Sequence, residues 1–149
     1  MYMSEDTWQD DMYVIQARYP KIIFSNETAA FLLGSSEREP FEISVTLETS
    51  TGSLRLNKSG VKVYKIKKDL LEVGLIESLT PLGNKVRSYN QERTFCDFVR
   101  SRNTIEMQEV QTYIREYFRS KDMNISQLMR YAKLFSIAKI IRQYTEVLL

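Results

Sequence analysis

The residues best equipped for chemistry fall in one stretch, Tyr89-Asn-Gln-Glu-Arg-Thr-Phe-Cys-Asp-Phe-Val-Arg-Ser-Arg-Asn103. On a helix, Arg93 and Asp97 are four apart and share a face, and Arg100 follows Asp97 by three. Phe95, Phe98 and Val99 are predicted to face the other way. Two readings are open. In the first, Glu92, Arg93, Asp97 and Arg100 form a structural ion-pair motif that locks the helix to a neighbouring hairpin, and such a charge-paired helix needs no ligand. In the second, the cluster is a contact surface. Arg100, Arg102, Arg115, Arg119 and Lys121 then make up a face for an anionic partner.

Two other groups invite a chemical reading. Asp69, Glu72 and Glu77 lie near Lys67 and Lys68, the residue types of a metal-assisted nuclease. A surface helix turn accounts for them more cheaply, because such a match without geometry is weak. Nine Tyr and seven Phe could stack RNA bases. Tyr113, Tyr117, Phe118 and Tyr144, however, recur at the spacing of a helical core.

What is missing narrows the chemistry further. The 149 residues contain no His and a single Cys. The commonest general base and zinc ligand is therefore absent, and neither an intrachain disulfide nor a Cys-based zinc site can form. GxGxxG, Walker A and GxSxG motifs are absent too. The expectation is a protein without cofactor, metal site or enzymatic activity. At 43% hydrophobic and 27% charged, the composition is that of an ordinary globular domain. Charge is uneven: residues 1–84 carry 9 basic and 12 acidic groups, net −3, and residues 85–149 carry 12 and 7, net +5. The basic half suits an anionic partner, with weak, non-specific nucleic-acid binding as one expectation. The acidic start (Glu5, Asp6, Asp10, Asp11) is unlike a secretory leader, and no apolar run nears the roughly 20 residues that span a bilayer. A lone Cys96 fits a reducing compartment. The predicted location is the cytoplasm, with no membrane partner.

The elements that must position these residues follow from periodicity. Trp8, Met12, Ile15 and Tyr19 predict a helix over residues 7–18, ended by Pro20. Ser25 or Asn26 caps a second helix that stops at Gly34. Phe41, Ile43, Val45 and Leu47 alternate as a half-buried strand. Residues 48–59 read as a loop, and Val61, Val63 and Ile66 as a second strand. Two further strands flank the turn signal Thr80-Pro-Leu-Gly-Asn84. Four helices follow, starting at Asn90, near Asn103-x-x-Glu106, at Asn124-x-x-Gln127, and around Ile137. The predicted class is α+β or α/β: a small mixed sheet with flanking helices and a helical C-terminal subdomain.

The sequence resembles the AbiEi family of antitoxins from bacterial abortive-infection, type IV toxin–antitoxin systems. The matching pieces are Tyr19-Pro-Lys-Ile-Ile-Phe-Ser-Asn-Glu-Thr-Ala29, Leu33-Gly34, Arg38-Glu-Pro40, Ser59-Gly-Val-Lys-Val63, Pro81-Leu-Gly-Asn84, Tyr89-Asn-Gln-Glu-Arg-Thr-Phe-Cys-Asp97 and Arg100-Ser-Arg-Asn103. Their order and spacing carry the resemblance over nearly the whole chain, and Glu92-Arg-Thr-x-x-Asp97 is its strongest element.

The resemblance implies an N-terminal winged helix-turn-helix followed by a C-terminal domain required for antitoxicity. Met1-Tyr-Met-Ser-Glu-Asp6 looks like the end of a wing strand and its linker. Residues 1–20 are then a linker and helix following a missing winged-helix domain, and residues 21–149 the antitoxin domain. The implied function is non-enzymatic phage defence. The domain counteracts a nucleotidyltransferase-like toxin without a stable complex with it, and operator DNA is a partner only where a winged helix is present. The alternative is an accessory or dimerisation domain of a DNA-binding autorepressor, with no direct antitoxin role.

Overall fold

A computed structural model describes residues 10–35, 39–40 and 42–148, with Leu148 described in its backbone only. The expected strand residue Phe41 and the first residues of the predicted N-terminal helix lie outside the described set. The chain has an α+β fold. Its strands are β1 (Ile23–Phe24), β2 (Ser44–Glu48), β3 (Lys62–Ile66), β4 (Leu75–Leu79) and β5 (Lys85–Tyr89). They form one mixed sheet in the order β3-β2-β1-β5-β4. The β2/β3 and β1/β5 pairs are parallel, and the β1/β2 and β4/β5 pairs are antiparallel.

Helix α1 (Asp11–Arg18) is capped by Asp10, whose carboxylate accepts the Tyr13 N–H at 3.2 Å. It is part of the sheet's own body. Met12 shares an apolar cluster with Ile22, Phe24, Val45, Leu47 and Val86. Gln16 accepts the Arg87 N–H at 2.7 Å and donates to the Ile22 carbonyl at 3.1 Å. Residues on both sides of position 20 thus pack into one apolar cluster.

Helix α2 (Asn26–Leu32) follows β1 directly and ends at Gly34, at φ +81°. Ser25 occupies the N-cap position, as expected, but its side chain makes no capping hydrogen bond. The Ser25 hydroxyl is engaged by Thr46 Oγ1 at 2.8 Å, so the Thr28 N–H is accepted instead by Ser44 Oγ at 3.3 Å. This exchange corrects the reading of β2 as half-buried. Val45 and Leu47 enter the apolar cluster on one face, while Ser44 and Thr46 are buried on the other, satisfied by the start of α2. Residues 48–59 also contain a short helix, α3 (Leu54–Lys58), which drives Leu56 into the same cluster.

One-turn α4 (Lys68–Leu71) precedes the β4/β5 hairpin. The remaining helices, α5 (Gln91–Arg100), α6 (Met107–Arg119), α7 (Ile125–Leu134) and α8 (Ala138–Leu148), share a second apolar core. Phe98 stacks on Tyr113 at 4.7 Å, and Phe95 meets Tyr117 edge-on at 5.1 Å. The expected capping box at Asn103 does not form, since Glu106 precedes α6 without a side-chain cap. Asn124 does cap α7, accepting the Gln127 N–H at 3.0 Å. Among the described residues no helix is long and apolar enough to cross a membrane.

Candidate functional site

Helix α5 is the centre of the molecule. Each of its residues from Glu92 to Val99 is buried, so it has no solvent face opposite Phe95, Phe98 and Val99 as a simple amphipathic helix would. Strand β5 delivers the chain to Asn90, whose Oδ1 accepts the Arg93 N–H at 2.9 Å and starts α5. The Asn90 N–H donates to the Gly74 carbonyl at 2.8 Å. Gly74 sits at φ +78°, where a Cβ would lie 2.6 Å from Arg93 Cβ, so only glycine lets the two segments approach this closely.

Arg93 is wholly buried. Its Nε donates to both Asp97 oxygens, at 3.1 and 3.2 Å. Its Nη1 donates to the carbonyls of Leu70 and Val73, at 2.7 and 2.8 Å. The guanidinium lies 3.9 Å from the Tyr89 ring centroid and 4.6 Å from that of Phe135. Through one side chain, α5 is thus fastened to the α4 turn, to β5 and to the end of α7. Arg100 donates to Asp97 Oδ1 at 3.4 Å, covers Phe135 at 4.9 Å, and keeps 34% of its side chain exposed. Burial pushes the Asp97 carboxyl above its ordinary value, against the opposing pull of Arg93 and Arg100.

Glu92 serves a different junction. Its Oε2 accepts from the Tyr117 hydroxyl at 2.8 Å and the Asn124 N–H at 3.2 Å, tying α5 to α6 and α7. Of the four residues of the expected ion-pair motif, the structure brings Arg93, Asp97 and Arg100 together and places Glu92 apart.

The anionic-partner face divides in the same way. Arg115 and Arg119 are exposed, on the side of α6 opposite its buried stripe of Val110, Tyr113, Ile114 and Tyr117. That stripe faces the core containing α5, so Arg115 and Arg119 do not share a surface with Arg100. Arg119 contacts Glu116 at 3.6 Å, Arg102 donates to the Val99 carbonyl at 2.6 Å, and Lys121 is exposed beyond α6. Asp69, Glu72 and Glu77 are exposed, and Glu77 faces Lys85 at 3.7 Å.

Arg93, Asp97 and Arg100 line a polar cavity of about 120 Å³ together with Asn26, Thr46 and Tyr64. Asn26 is buried at φ +50°, a left-handed conformation that Asn tolerates better than most residues. Arg93 Nη2, Asn26 Oδ1 and the Tyr64 hydroxyl are buried, with no hydrogen-bond partner among the described residues. Lys65 borders the cavity, but its ammonium donates to the Thr51 carbonyl. Sequence reasoning missed Asn26, Thr46 and Tyr64 as site residues. The available signal was a polar face on β2 and a tyrosine among lysines on β3, and both look like solvent-facing strand positions. A wider groove elsewhere is lined by Glu27, Glu42, Glu106 and Glu116, which disfavours an anion there. No protein-family model matches the chain, and no curated protein matches it.

Proposed function

We propose that this chain is the antitoxin domain of an AbiEi-like type IV toxin–antitoxin system, acting in the cytoplasm by binding rather than catalysis. The supporting observation is that separate segments of the resemblance converge on one polar cavity. Asn26 comes from the first segment, Arg93 and Asp97 from the strongest, and Arg100 and Ser101 from the last. A segment that only filled the core would have no need to leave a guanidinium nitrogen unpartnered on a residue that lines a polar cavity.

The engagement of the carboxylates favours binding over catalysis. Asp97 is held by two guanidiniums, and Glu92 by Tyr117 and Asn124, so both serve structure. The domain contacts an anionic target that the toxin also needs, and competition for it relieves toxicity. The test is growth rescue: co-express residues 1–149 with the neighbouring nucleotidyltransferase-like toxin. Rescue by the unmutated chain and its loss in folded Arg100→Glu agree with this reading. No rescue by this chain, where a longer version carrying a winged helix rescues, would replace it with the accessory-domain role.

A further inference from the structure

The Arg93–Asp97–Arg100 cluster does not balance its charge. Two guanidiniums face one carboxylate, and Arg93 has no exposure through which water could screen it. Arg93 lines the cavity, and its Nη2, which carries two N–H donors, is buried without a hydrogen-bond partner among the described residues. Tyr64 adds a hydroxyl from β3 that is buried without a hydrogen-bond partner among the described residues. Tyr64 lies under the Lys62 ammonium, 5.4 Å from its ring centroid, so the positive field extends along β3. The 120 Å³ volume has room for more than a single water, and so for one tetrahedral oxyanion. The one-third exposure of Arg100 leaves that guanidinium open to solvent, where a ligand can enter.

We infer that this cavity is a binding site for a phosphate group, held by Arg93 Nη2, Arg100 and the Tyr64 hydroxyl. A phosphate oxyanion supplies the missing acceptors and neutralises the surplus charge with charge-assisted hydrogen bonds. The site stands on its own geometry, and its part in antitoxicity rests on the function proposed above. The phosphate can belong to a nucleotide or RNA end, or be free in solution.

The test uses residues 1–149 in phosphate-free buffer at fixed ionic strength. The probes are inorganic phosphate, adenosine 5′-monophosphate, and a short RNA with or without its 5′-phosphate. Saturable phosphorus-31 line broadening is expected. At a hundredfold excess over Kd, the unfolding temperature should rise by about 5–10 °C. Arg100→Gln should weaken binding at least about tenfold, a loss of ~1.4 kcal/mol, yet unfold in chloride no lower than wild type because it removes the surplus charge. Tyr64→Phe should weaken binding while the protein stays folded, and Arg119→Gln should bind as wild type.

Tighter binding of the nucleotide or the phosphorylated RNA than of inorganic phosphate supports the site and assigns the group to a nucleic acid. Equal affinities support the site with free phosphate as its ligand. Absence of saturable binding by every phosphate probe overturns the inference, as does wild-type affinity in both Arg100→Gln and Tyr64→Phe. Phosphate binding by a chain that fails to rescue supports the site while sinking the antitoxin reading. Full rescue by a folded Arg100→Gln that no longer binds phosphate overturns the link between them.

Discussion

Replacing Asp97 with Ala should be among the most damaging single changes available to this chain. Asp97 is the carboxylate that both Arg93 and Arg100 contact. Its loss leaves Arg93 wholly buried, with its Nε stripped of an acceptor and its Nη1 still fixed to the Leu70 and Val73 carbonyls. Breaking a buried pair from one side costs roughly 3–5 kcal/mol, because the surviving charge stays uncompensated. Arg100 can turn to water, since a third of it is already exposed, so the cost should fall toward the lower end. Against a total stability of about 5–15 kcal/mol the protein would still fold at low temperature. Its melting point should fall by roughly 6–20 °C. Urea unfolding followed by far-UV circular dichroism reads the loss as a lower midpoint at constant m. Arg93→Met should also be severe, since it strands Asp97 and two carbonyls. The double variant should cost less than the sum by about 0.5–3 kcal/mol, because neither charge is then left alone. An Asp97→Ala midpoint within about 0.5 kcal/mol of wild type, or strict additivity in the cycle, would refute the argument.

Three further outcomes are expected. Gly74→Ala should cost about 2–5 kcal/mol, combining a left-handed backbone with a collision at Arg93 Cβ, whereas Gly60→Ala, at φ +83° in open space, should cost only about 1–2; equal losses in urea would rule out the close approach. Burial alone would raise the Asp10 carboxyl, but hydrogen bonds from Thr80, Asn84 and the Tyr13 N–H together hold it below its usual value. Its stabilisation is complete above the ordinary carboxylate pKa of about 3.9 and fades as pH falls through the lower folded value. Asp10→Asn should therefore flatten the stability profile below about pH 4, and an unchanged acid limb would exclude this role. Finally, Cys96 is fully buried, and burial foremost, with Asp97 adding to it, pushes its thiol up. Iodoacetamide at pH 8 should label it far more slowly in the native protein than in denaturant, and equal rates would show the α5 core to be open.

Local pattern in the sequence was enough for several features. The Arg93–Asp97–Arg100 contacts run along one helix, so the 3.6-residue period alone brings those side chains within reach. The same period marked Tyr113 and Tyr117 as core positions of α6, and the punctuation Thr80-Pro-Leu-Gly-Asn84 marked the β4/β5 hairpin. Other features depended on partners distant in the chain. A two-residue strand such as β1 has no period to detect, and it exists because β2 and β5 pair with it from either side. Alternation identified which β2 residues share a face, but that Ser44 and Thr46 are buried depended on α2 folding over them. Glu92 is adjacent to Arg93 in sequence, yet it serves Tyr117 and Asn124, because successive helical residues point about 100° apart. The cavity was the least visible feature of all. Asn26, Thr46, Tyr64 and Arg93 come from four elements, and no local rule joins them. Which side chains stand on each helix or strand face was legible locally, because covalent geometry sets those directions. Tertiary structure decided which faces are covered and which polar groups are left without partners, because that depends on how distant elements pack.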